Sequence, residues 1–434
     1  MSLKIENLRL RINNSKLIKG FIATFLGSGA SKVILVLATF LCSNLLGKME
    51  FGELSFVRNT LNMILCICAL NFSALCTKFT TEAKTSTVSL HRLFLLFVFS
   101  VFVCFIIGLF LILTPQDYLV NFLSTDTIIS FFKIVGVLLP LFILQPLVEG
   151  VLRGLKKFRL IGILQTVSSV FYLVAVFIGI KFGGLDGALV GVIAYYALYS
   201  ILSIGILQLK YHISKYSCKL KGCWGQKQTI CKMILPLFLM SFVDAPVMWL
   251  AQVILSRSGS MESVGSMTAM MQIRNLAMLI PSYFSNTYIA FAGELNSQKR
   301  YTDYYRQFEK IVRLYLMIGL GMLVFFSIFS RPILFLYGRD FVEDWPAMII
   351  SNIGIPLTML ISLFRIDLLL KEHQQYLLYI SIAWNAIWLI SLYGYNYLGI
   401  NPLYSFFMSQ NTGAVIFILG LFMVYNKDKK TFLS

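Results

Sequence analysis

The stretch LFLLFVFSVFVCFIIGLFLIL, residues 93–113, decides the class of fold because it holds no charged residue over its whole length. A helix of about 20 such residues crosses the hydrocarbon core of a bilayer. Similar runs recur along the 434 residues, which are 58% hydrophobic and 13% charged, with a mean hydropathy of +0.79. Soluble domains average about 25% charged residues. The alternating segments of about ten residues that mark a membrane β-barrel do not occur, so we predict an all-α integral membrane protein.

Hydropathy predicts about twelve spans in two groups of six. The first group is 20–42, 54–76, 93–113, 127–152, 160–180 and 185–209. The second group is 233–256, 264–291, 311–329, 347–370, 376–393 and 403–424. The predicted organisation is a basic N-terminal segment 1–19, a six-helix bundle 20–209, a basic linker 210–232, a second six-helix bundle 233–425 and a tail 426–434.

The basic residues of the predicted loops indicate the orientation. The N-terminal segment, every second loop and the tail hold 27 lysines and arginines, whereas the remaining loops hold 5. Loops rich in lysine and arginine stay on the cytoplasmic side of a membrane, so we predict that both termini are cytoplasmic. The formal net charge of +18 is then explained by loops and lipid headgroups, without a nucleic-acid partner.

The two halves of the chain carry the same residue pairs at a constant spacing. Arg58-Asn59 matches Arg274-Asn275, and Pro140-Leu141 matches Pro356-Leu357. The two matches are separated by the same number of residues, which is the offset of the repeat. Weaker matches at nearby offsets pair Phe51-Gly52 with Val264-Gly265, and Gly184-Leu185 with Gly399-Ile400. Because each half has an even number of spans, the repeats run in the same direction. We predict two bundles related by an axis along the membrane normal, with a substrate path between them.

Two motifs resemble those of a known transporter family. Asn44–Ser55, NLLGKMEFGELS, is similar to the signature that opens polysaccharide exporters of the multidrug/oligosaccharidyl-lipid/polysaccharide (MOP) superfamily, and Gly150–Phe158, GVLRGLKKF, is similar to the turn after their fourth span. The resemblance implies an O-antigen or capsule repeat-unit flippase, which moves undecaprenyl-diphosphate-linked oligosaccharide to the outer leaflet. It also implies the bacterial cytoplasmic (inner) membrane. The implied partners are membrane lipids, a polysaccharide polymerase and a chain-length regulator.

Five basic residues lie within the predicted spans, where a charge is costly and therefore marks a candidate site. They are Lys32, Arg58, Lys133, Arg274 and Arg365. Cations suit an anionic cargo, because arginine binds phosphate oxygens through paired hydrogen bonds and lysine acts as a point charge. We predict that these residues line a central cationic cavity that opens to each side in turn. For Arg58, Lys133 and Arg365, the alternative is a long side chain that reaches the nearer interface.

Two acids in the spans have alternative roles. Asp244 lies two residues before a proline, which removes a helix hydrogen bond and frees a carbonyl group. It is the candidate for coupling transport to H⁺ or Na⁺, and the alternative is a salt bridge to Lys32 or Arg274. Glu149 lies four residues before Arg153, a spacing that predicts a structural ion pair on one helix face.

Aromatic residues of two spans are candidates for stacking on sugars, with ordinary core packing as the alternative. They are Tyr195, Tyr196 and Tyr199 in the sixth span, and Trp384 and Trp388 in the eleventh. The sequence shows no nucleophilic triad, phosphate-binding loop or set of metal ligands, so we expect neither enzyme activity nor a cofactor.

Three other functions suit a polytopic membrane protein. A cation-coupled multidrug exporter of the same superfamily usually carries more intramembrane acids than bases, since its cargo is usually cationic. A polysaccharide polymerase or an acyltransferase needs a large outer loop with catalytic residues, whereas the longest predicted outer connection is only 330–346. A lipid II flippase typically has two additional helices. The excess of bases in the spans therefore favours the oligosaccharide flippase.

Overall fold

The computed structural model describes residues 2–69, 72–82, 87–114, 126–211, 227–279, 300–371 and 374–433, together with Pro281, Ala292 and Gln298. Every regular element in these residues is helical. In chain order the α-helices are α1 Ser2–Ala69, α2 Phe72–Glu82, α3 Thr87–Leu113, α4 Asp126–Phe142, α5 Leu144–Gly154, α6 Phe158–Tyr211, α7 Lys227–Ser258, α8 Met261–Ala277, α9 Tyr301–Ile328, α10 Ser330–Phe335, α11 Trp345–Leu370, α12 Gln374–Tyr397 and α13 Pro402–Leu433. A 3₁₀ helix, Arg339–Asp344, lies between α10 and α11.

The helices are long and apolar enough for a membrane protein. Eight helical stretches of the described residues are candidate spans, and two of these, Gly29–Ala69 and Phe158–Gln208, are 41 and 51 residues long. Each of the two bends at glycine, the first at Gly47 and the second at Gly183 and Gly184. Both bends fall between two predicted spans, so each stretch supplies a pair. The predicted all-α membrane fold is confirmed, and the side on which the termini lie stays a prediction.

The bend of α6 depends on glycine. Gly184 has a φ of +54°, which side chains with a Cβ rarely adopt. A Cβ on either Gly179 or Gly187 would overlap the carbonyl group of the other, so the two arms of α6 pack backbone against backbone. Small residues permit this close approach between helices in a membrane, where van der Waals packing drives association.

Helix boundaries repeat at the offset that the sequence predicts. The offset that leads from Arg58 to Arg274 also leads from the end of α5 at Gly154 to the end of α11 at Leu370. It leads again from the start of α6 at Phe158 to the start of α12 at Gln374. Proline lies inside both α4 and α11, at the positions of the matching pairs. The predicted two-lobed repeat is therefore confirmed.

The chain forms two compact units. The first comprises Met1–Ala38 and Val57–Ser241, and the second comprises Thr39–Phe56 and Phe242–Ser434. The sequence predicts that all of 20–209 belongs to the first bundle, whereas the structure groups the bend of α1 with the second unit. Most of the predicted linker 210–232 lies outside the described residues. Residues 2–19 of the predicted N-terminal segment and 426–433 of the predicted tail are helical extensions of α1 and α13.

Neighbouring helices pack closely within each unit. In the first unit α2 lies against α5, where a Cβ on Gly150 would overlap the carbonyl group of Ser73. In the second unit α11 packs against both α9 and α13. Large apolar side chains, among them Phe110, Phe182 and Ile390, are exposed on the helix surfaces, which fits contact with lipid.

Candidate functional site

Arg58 lies among the tyrosines of the first unit. It is half-buried on α1, and its Nη1 donates a hydrogen bond of 3.5 Å to the Tyr172 hydroxyl. Tyr172 packs edge-on against Tyr195, with ring centroids 5.2 Å apart. Nearby, the Tyr196 hydroxyl donates to Asn62 Oδ1 at 2.6 Å. Arg58 is therefore attached to α6 inside its bundle, and Tyr196 is an internal hydrogen-bond donor.

Glu149 forms the ion pair that its spacing predicts. Arg153 Nη2 donates to Glu149 Oε2 at 2.9 Å, which confirms the prediction. Gln165 Nε2 lies 3.4 Å from both carboxylate oxygens, and the Tyr199 hydroxyl donates to Oε1. Buried polar groups are normally satisfied in this way. Tyr199, a candidate for sugar stacking, is instead 2% exposed and bound to the carboxylate, so this cluster holds α5 and α6 together.

Arg274 is a buried cation in the second unit. It lies on α8 and is 7% exposed. Its Nη1 donates to Gln410 Oε1 at 2.5 Å, and its Nη2 donates to Thr358 Oγ1 at 3.1 Å. A further polar contact is with the Met271 sulfur, 3.8 Å from Nη1. No carboxylate of the described residues forms a salt bridge with it, so its partners are neutral.

A glycine makes room for the Arg274 guanidinium. A Cβ on Gly354 would lie 2.6 Å from Arg274 Nη2 and 2.9 Å from Asn411 Oδ1. Asn411 Nδ2 donates to the Ile350 carbonyl at 2.7 Å, while its Oδ1 accepts no hydrogen bond from the described residues. We call this group of Arg274, Gly354, Thr358, Gln410 and Asn411 the arginine cradle. It holds a full positive charge without a counter-ion among the described residues, which is costly in a low-dielectric interior and suits it to receive an anion.

Asp244 and Arg365 form a salt bridge with each other. Arg365 Nη2 lies 3.2 Å from Asp244 Oδ2, and Asn385 Nδ2 donates to Asp244 Oδ1 at 2.9 Å. The Arg365 guanidinium also lies 5.7 Å from the ring centroid of Trp384 and 5.2 Å from that of Phe417. The pair joins α7, α11, α12 and α13 of the second unit.

This pairing changes two expectations. Arg365, expected to be a cavity cation or to reach the interface, is neutralised by an acid on a neighbouring helix. Asp244 is in a salt bridge, as one alternative had it, but its partner is Arg365 and not Lys32 or Arg274. Its role in ion coupling stays a prediction.

The two lysines among the candidates form no ion pair with a described residue. Lys32 is exposed on α1, and Lys133 is half-buried on α4. Neither is joined to a polar side chain of the described part of the chain. Their expected contact with an anionic cargo stays a prediction.

One buried ion pair was not predicted. Lys371 Nζ donates to Asp367 Oδ2 at 2.9 Å, and the Tyr304 hydroxyl donates to Oδ1 at 2.6 Å. The ammonium lies 4.7 Å from the ring centroid of Tyr305 and 5.4 Å from that of Tyr425. The i,i+4 spacing of the aspartate and the lysine is the signal that identifies such a pair.

The tryptophans of α12 lie in the second unit. Trp384 and Trp388 are nearly parallel, with ring centroids 6.2 Å apart and an interplanar angle of 14°. A Cβ on Gly413 would lie 2.7 Å from Trp384 Cδ1, so α13 packs closely on this ring. The indole N–H groups of both tryptophans find no acceptor within the described ranges. Their expected role in sugar stacking stays a prediction.

Comparison with known proteins identifies the family. A family model described as polysaccharide biosynthesis protein matches residues 17–289. No curated protein matches the chain. Three similar solved structures are an inward-facing multidrug resistance MATE family transporter of the MOP superfamily (12% identity, 92% of this chain, 95% of that chain, TM-score 0.78), an outward-facing one (13%, 96%, 96%, 0.68) and a MOP superfamily transporter from Pyrococcus furiosus (13%, 96%, 96%, 0.66).

These findings agree with the helical repeat. Identities of this size show the fold alone, which is MATE-like over nearly the whole chain. The family model covers more than half of the 434 residues. The chain therefore belongs to the polysaccharide biosynthesis protein family and has a MATE-like fold.

Proposed function

We propose that this transporter is a flippase for undecaprenyl-diphosphate-linked oligosaccharide, the repeat unit of O-antigen or capsule. The observation that carries the proposal is the arginine cradle, where Arg274 is buried among neutral partners. A diphosphate carries about two negative charges, and a guanidinium binds its oxygens with paired charge-assisted hydrogen bonds. The match to the polysaccharide biosynthesis family supports a glycan cargo.

Neutral partners also suit a carrier that must release its cargo. Gln410 and Thr358 hold the guanidinium in place without cancelling its charge, so a diphosphate gains most of the attraction. When the cargo leaves, the same two residues still accept hydrogen bonds from the Arg274 guanidinium. Arg58, the counterpart of Arg274 in the first repeat, is a second candidate cation of the chain. The cargo would cross by alternating access, with the polyprenyl chain remaining in lipid.

The remaining parts of the proposal follow from the family. The chain would act in the bacterial inner membrane as a transporter without catalytic activity. A polysaccharide polymerase and a chain-length regulator would take the delivered repeat units. H⁺ or Na⁺ would drive transport if the cycle is coupled, with Asp244 as the candidate residue.

The variant Gln410→Glu tests the cradle directly. The new carboxylate would lie beside Arg274 Nη1, where the amide oxygen lies 2.5 Å away, and would neutralise the charge without removing the arginine. We expect affinity for undecaprenyl diphosphate to fall about tenfold, because a diphosphate then competes with a resident anion. Binding is measured by titrating the lipid into the purified protein in nanodiscs. Gln410→Met, which cannot neutralise the charge, is the matched control, and equal affinity of wild type and Q410E would contradict the proposal.

A cellular experiment separates the flippase from its rivals. Deletion of the gene should leave single lipid-linked repeat units on the cytoplasmic face, with surface glycan lost. Repeat units on the outer face would instead indicate a polymerase. Some structural neighbours are multidrug transporters, and unchanged glycan together with greater sensitivity to cationic drugs would favour that function.

A further inference from the structure

Asn411 of the arginine cradle has one hydrogen-bonding atom that no described residue satisfies. The side chain is 9% exposed, and its Nδ2 donates to the Ile350 carbonyl at 2.7 Å. This bond fixes the orientation of the amide, because the turned amide would set Oδ1 against that carbonyl, acceptor against acceptor. Oδ1 is therefore buried and accepts no hydrogen bond from the described residues. A buried acceptor left without a donor costs free energy, which a ligand that brings a donor would recover.

The unsatisfied oxygen lies beside the cation of the cradle. A Cβ on Gly354 would lie 2.6 Å from Arg274 Nη2 and 2.9 Å from Asn411 Oδ1, so both atoms border the same space. Arg274 does not donate to Asn411, since its Nη2 donates to Thr358 Oγ1 at 3.1 Å. The cradle therefore presents a cation and a hydrogen-bond acceptor next to each other.

One face of α11 holds this arrangement in place. Ile350, Gly354 and Thr358 are four residues apart, so they share a face of the helix. Ile350 holds the Asn411 amide through its carbonyl, and Gly354 leaves room for the guanidinium. The Thr358 hydroxyl donates to the Gly354 carbonyl at 2.6 Å and accepts from Arg274. The positions of the cation and of the amide are therefore set by one helix.

A second buried amide on α11 shows that an unsatisfied oxygen alone does not make a site. Asn352 is 0% exposed, and its Oδ1 likewise accepts no hydrogen bond within the described ranges. Its Nδ2 donates to Ser327 Oγ of α9 at 3.5 Å. Helix periodicity puts Asn352 on the opposite face of α11 from Gly354, away from the cradle. The neighbouring cation is what distinguishes Asn411.

The two neighbouring groups suit a ligand that offers an anion and a donor close together. Arg274 binds an anionic oxygen, whereas Asn411 Oδ1 accepts from an N–H or O–H group. The diphosphate of a glycosylated lipid supplies the anion but no donor, because each phosphate is linked on both sides and ionised near neutral pH. The donor therefore comes from the attached sugar. The nearest one is the substituent on carbon 2, since carbon 1 bears the diphosphate.

We propose, building on the proposed function, that Asn411 selects the cargo by its first sugar. Its Oδ1 accepts a hydrogen bond from the hydroxyl or acetamido group on carbon 2 while Arg274 binds the adjacent diphosphate. A cargo without a donor at this carbon leaves the buried oxygen unpaired and loses affinity. Bare undecaprenyl diphosphate carries no sugar and gains nothing from Asn411.

Three lipids test this contact in the purified full-length protein in nanodiscs. They are undecaprenyl diphosphate, its glucosyl derivative, and its 2-deoxy-2-fluoroglucosyl derivative, in which a fluorine that cannot donate replaces the hydroxyl on carbon 2. Affinities are measured by titration at about pH 8, where the terminal phosphate of the bare lipid is ionised. The wild type should bind the glucosyl lipid about tenfold more tightly than the fluoro analogue.

Asn411→Leu removes the acceptor and should remove this preference. We expect N411L to bind the glucosyl lipid and the fluoro analogue with affinities within about twofold of each other. Its affinity for bare undecaprenyl diphosphate should stay within about twofold of the wild type, which shows that the cradle is intact. Asn352→Leu is the matched control, because it removes a buried amide of the same helix bundle outside the cradle. It should keep the preference of the wild type.

Three results would overturn the role of Asn411. They are equal affinity of the wild type for the glucosyl and fluoro lipids, a preference that persists in N411L, and a preference lost equally in N352L. Each leaves the proposed diphosphate site standing as long as the bare lipid binds and R274Q weakens that binding. Failure of all three lipids to bind the wild type would instead contradict both proposals.

Discussion

Arg58 and Arg274 occupy the same place in the two repeats but have different surroundings. Arg58 contacts the phenol of Tyr172, whereas Arg274 is held by an amide and a hydroxyl in the arginine cradle. At the offset that relates the two arginines, Gly354, Thr358 and Asn411 of the cradle correspond to Leu138, Phe142 and Tyr195 of the first unit. The repeat has therefore kept the cation, while the residues at these three positions have changed.

At one pair of matching positions, the first unit has an acid and the second unit has a base. Glu149 in α5 corresponds to Arg365 in α11 at the same offset. Each is neutralised inside its own unit, the first by Arg153 and the second by Asp244. Equivalent positions thus take part in an ion pair in both units, the first through an acid and the second through a base.

The largest expected effect comes from removing the two arginines one at a time. Arg274→Gln should weaken binding of undecaprenyl diphosphate about 30- to 100-fold, since charge-assisted hydrogen bonds contribute about 1.5–3 kcal/mol each. Arg58→Gln should weaken it only about three- to fivefold, because its surroundings are aromatic. Both affinities are measured by lipid titration in nanodiscs.

Arg274→Lys is the control that separates geometry from charge. A lysine keeps the charge but loses the planar fork that contacts both Gln410 and Thr358. We expect an intermediate affinity. Equal losses of lipid affinity in R58Q and R274Q would show that the two arginines contribute alike. The difference between their surroundings would then have no effect on binding.

A smaller effect is expected from filling the space beside Arg274. Gly354→Ala places a methyl group 2.6 Å from the unperturbed Nη2, so the guanidinium must shift. We expect affinity for undecaprenyl diphosphate to fall about five- to tenfold, while overpacking costs about 1–3 kcal/mol of stability. Affinity and thermal unfolding are measured on the same preparation.

Gly321→Ala is the matched control, because a Cβ at Gly321 on α9 meets no described atom within 4 Å. It should leave both affinity and stability close to those of the wild type. A G354A protein that binds the lipid as tightly as the wild type would show that the position of the guanidinium is not critical.

Much of the fold could be predicted from composition and spacing. The apolar runs predicted the spans because a span is a local property of the chain, and the pairs Arg58-Asn59 and Arg274-Asn275 predicted the repeat because each is a short motif. The grouping of the bend of α1, residues 39–56, with the second unit could not be predicted in this way. It depends on contacts such as Lys48 with Asp344, which lie in different halves of the chain and which no local pattern encodes.

The candidate site was predicted unevenly for the same reason. Glu149 and Arg153 are i,i+4 neighbours on one helix, and their ion pair was predicted correctly. The pair of Asp244 and Arg365 joins distant helices, and hydropathy does not tell which cation faces which acid. The neutral cradle of Arg274 was equally hidden, since glutamine, threonine and glycine carry no signal of their own in a membrane span.

A moderate effect on stability is expected at the pair of Asp244 and Arg365. Either Asp244→Asn or Arg365→Gln should destabilise the second unit by about 1–3 kcal/mol, because each leaves the other partner with an unmatched charge. The double variant should lose less than the sum of the two. Unfolding is measured by denaturant titration in detergent. Additive losses would mean that the two side chains do not depend on each other.

The smallest expected effects concern the equivalent cluster of the first unit. Tyr199→Phe removes a buried donor to Glu149, and we expect a loss of about 1–2 kcal/mol of stability. Arg153→Gln should cost less than about 1 kcal/mol, because Arg153 is 46% exposed and its ion pair is weakened by solvent. Both variants should bind undecaprenyl diphosphate as the wild type does, since the cluster is internal to α5 and α6. If R153Q lowered affinity while Y199F did not, Arg153 would contact the cargo, and its role would not be limited to the ion pair with Glu149.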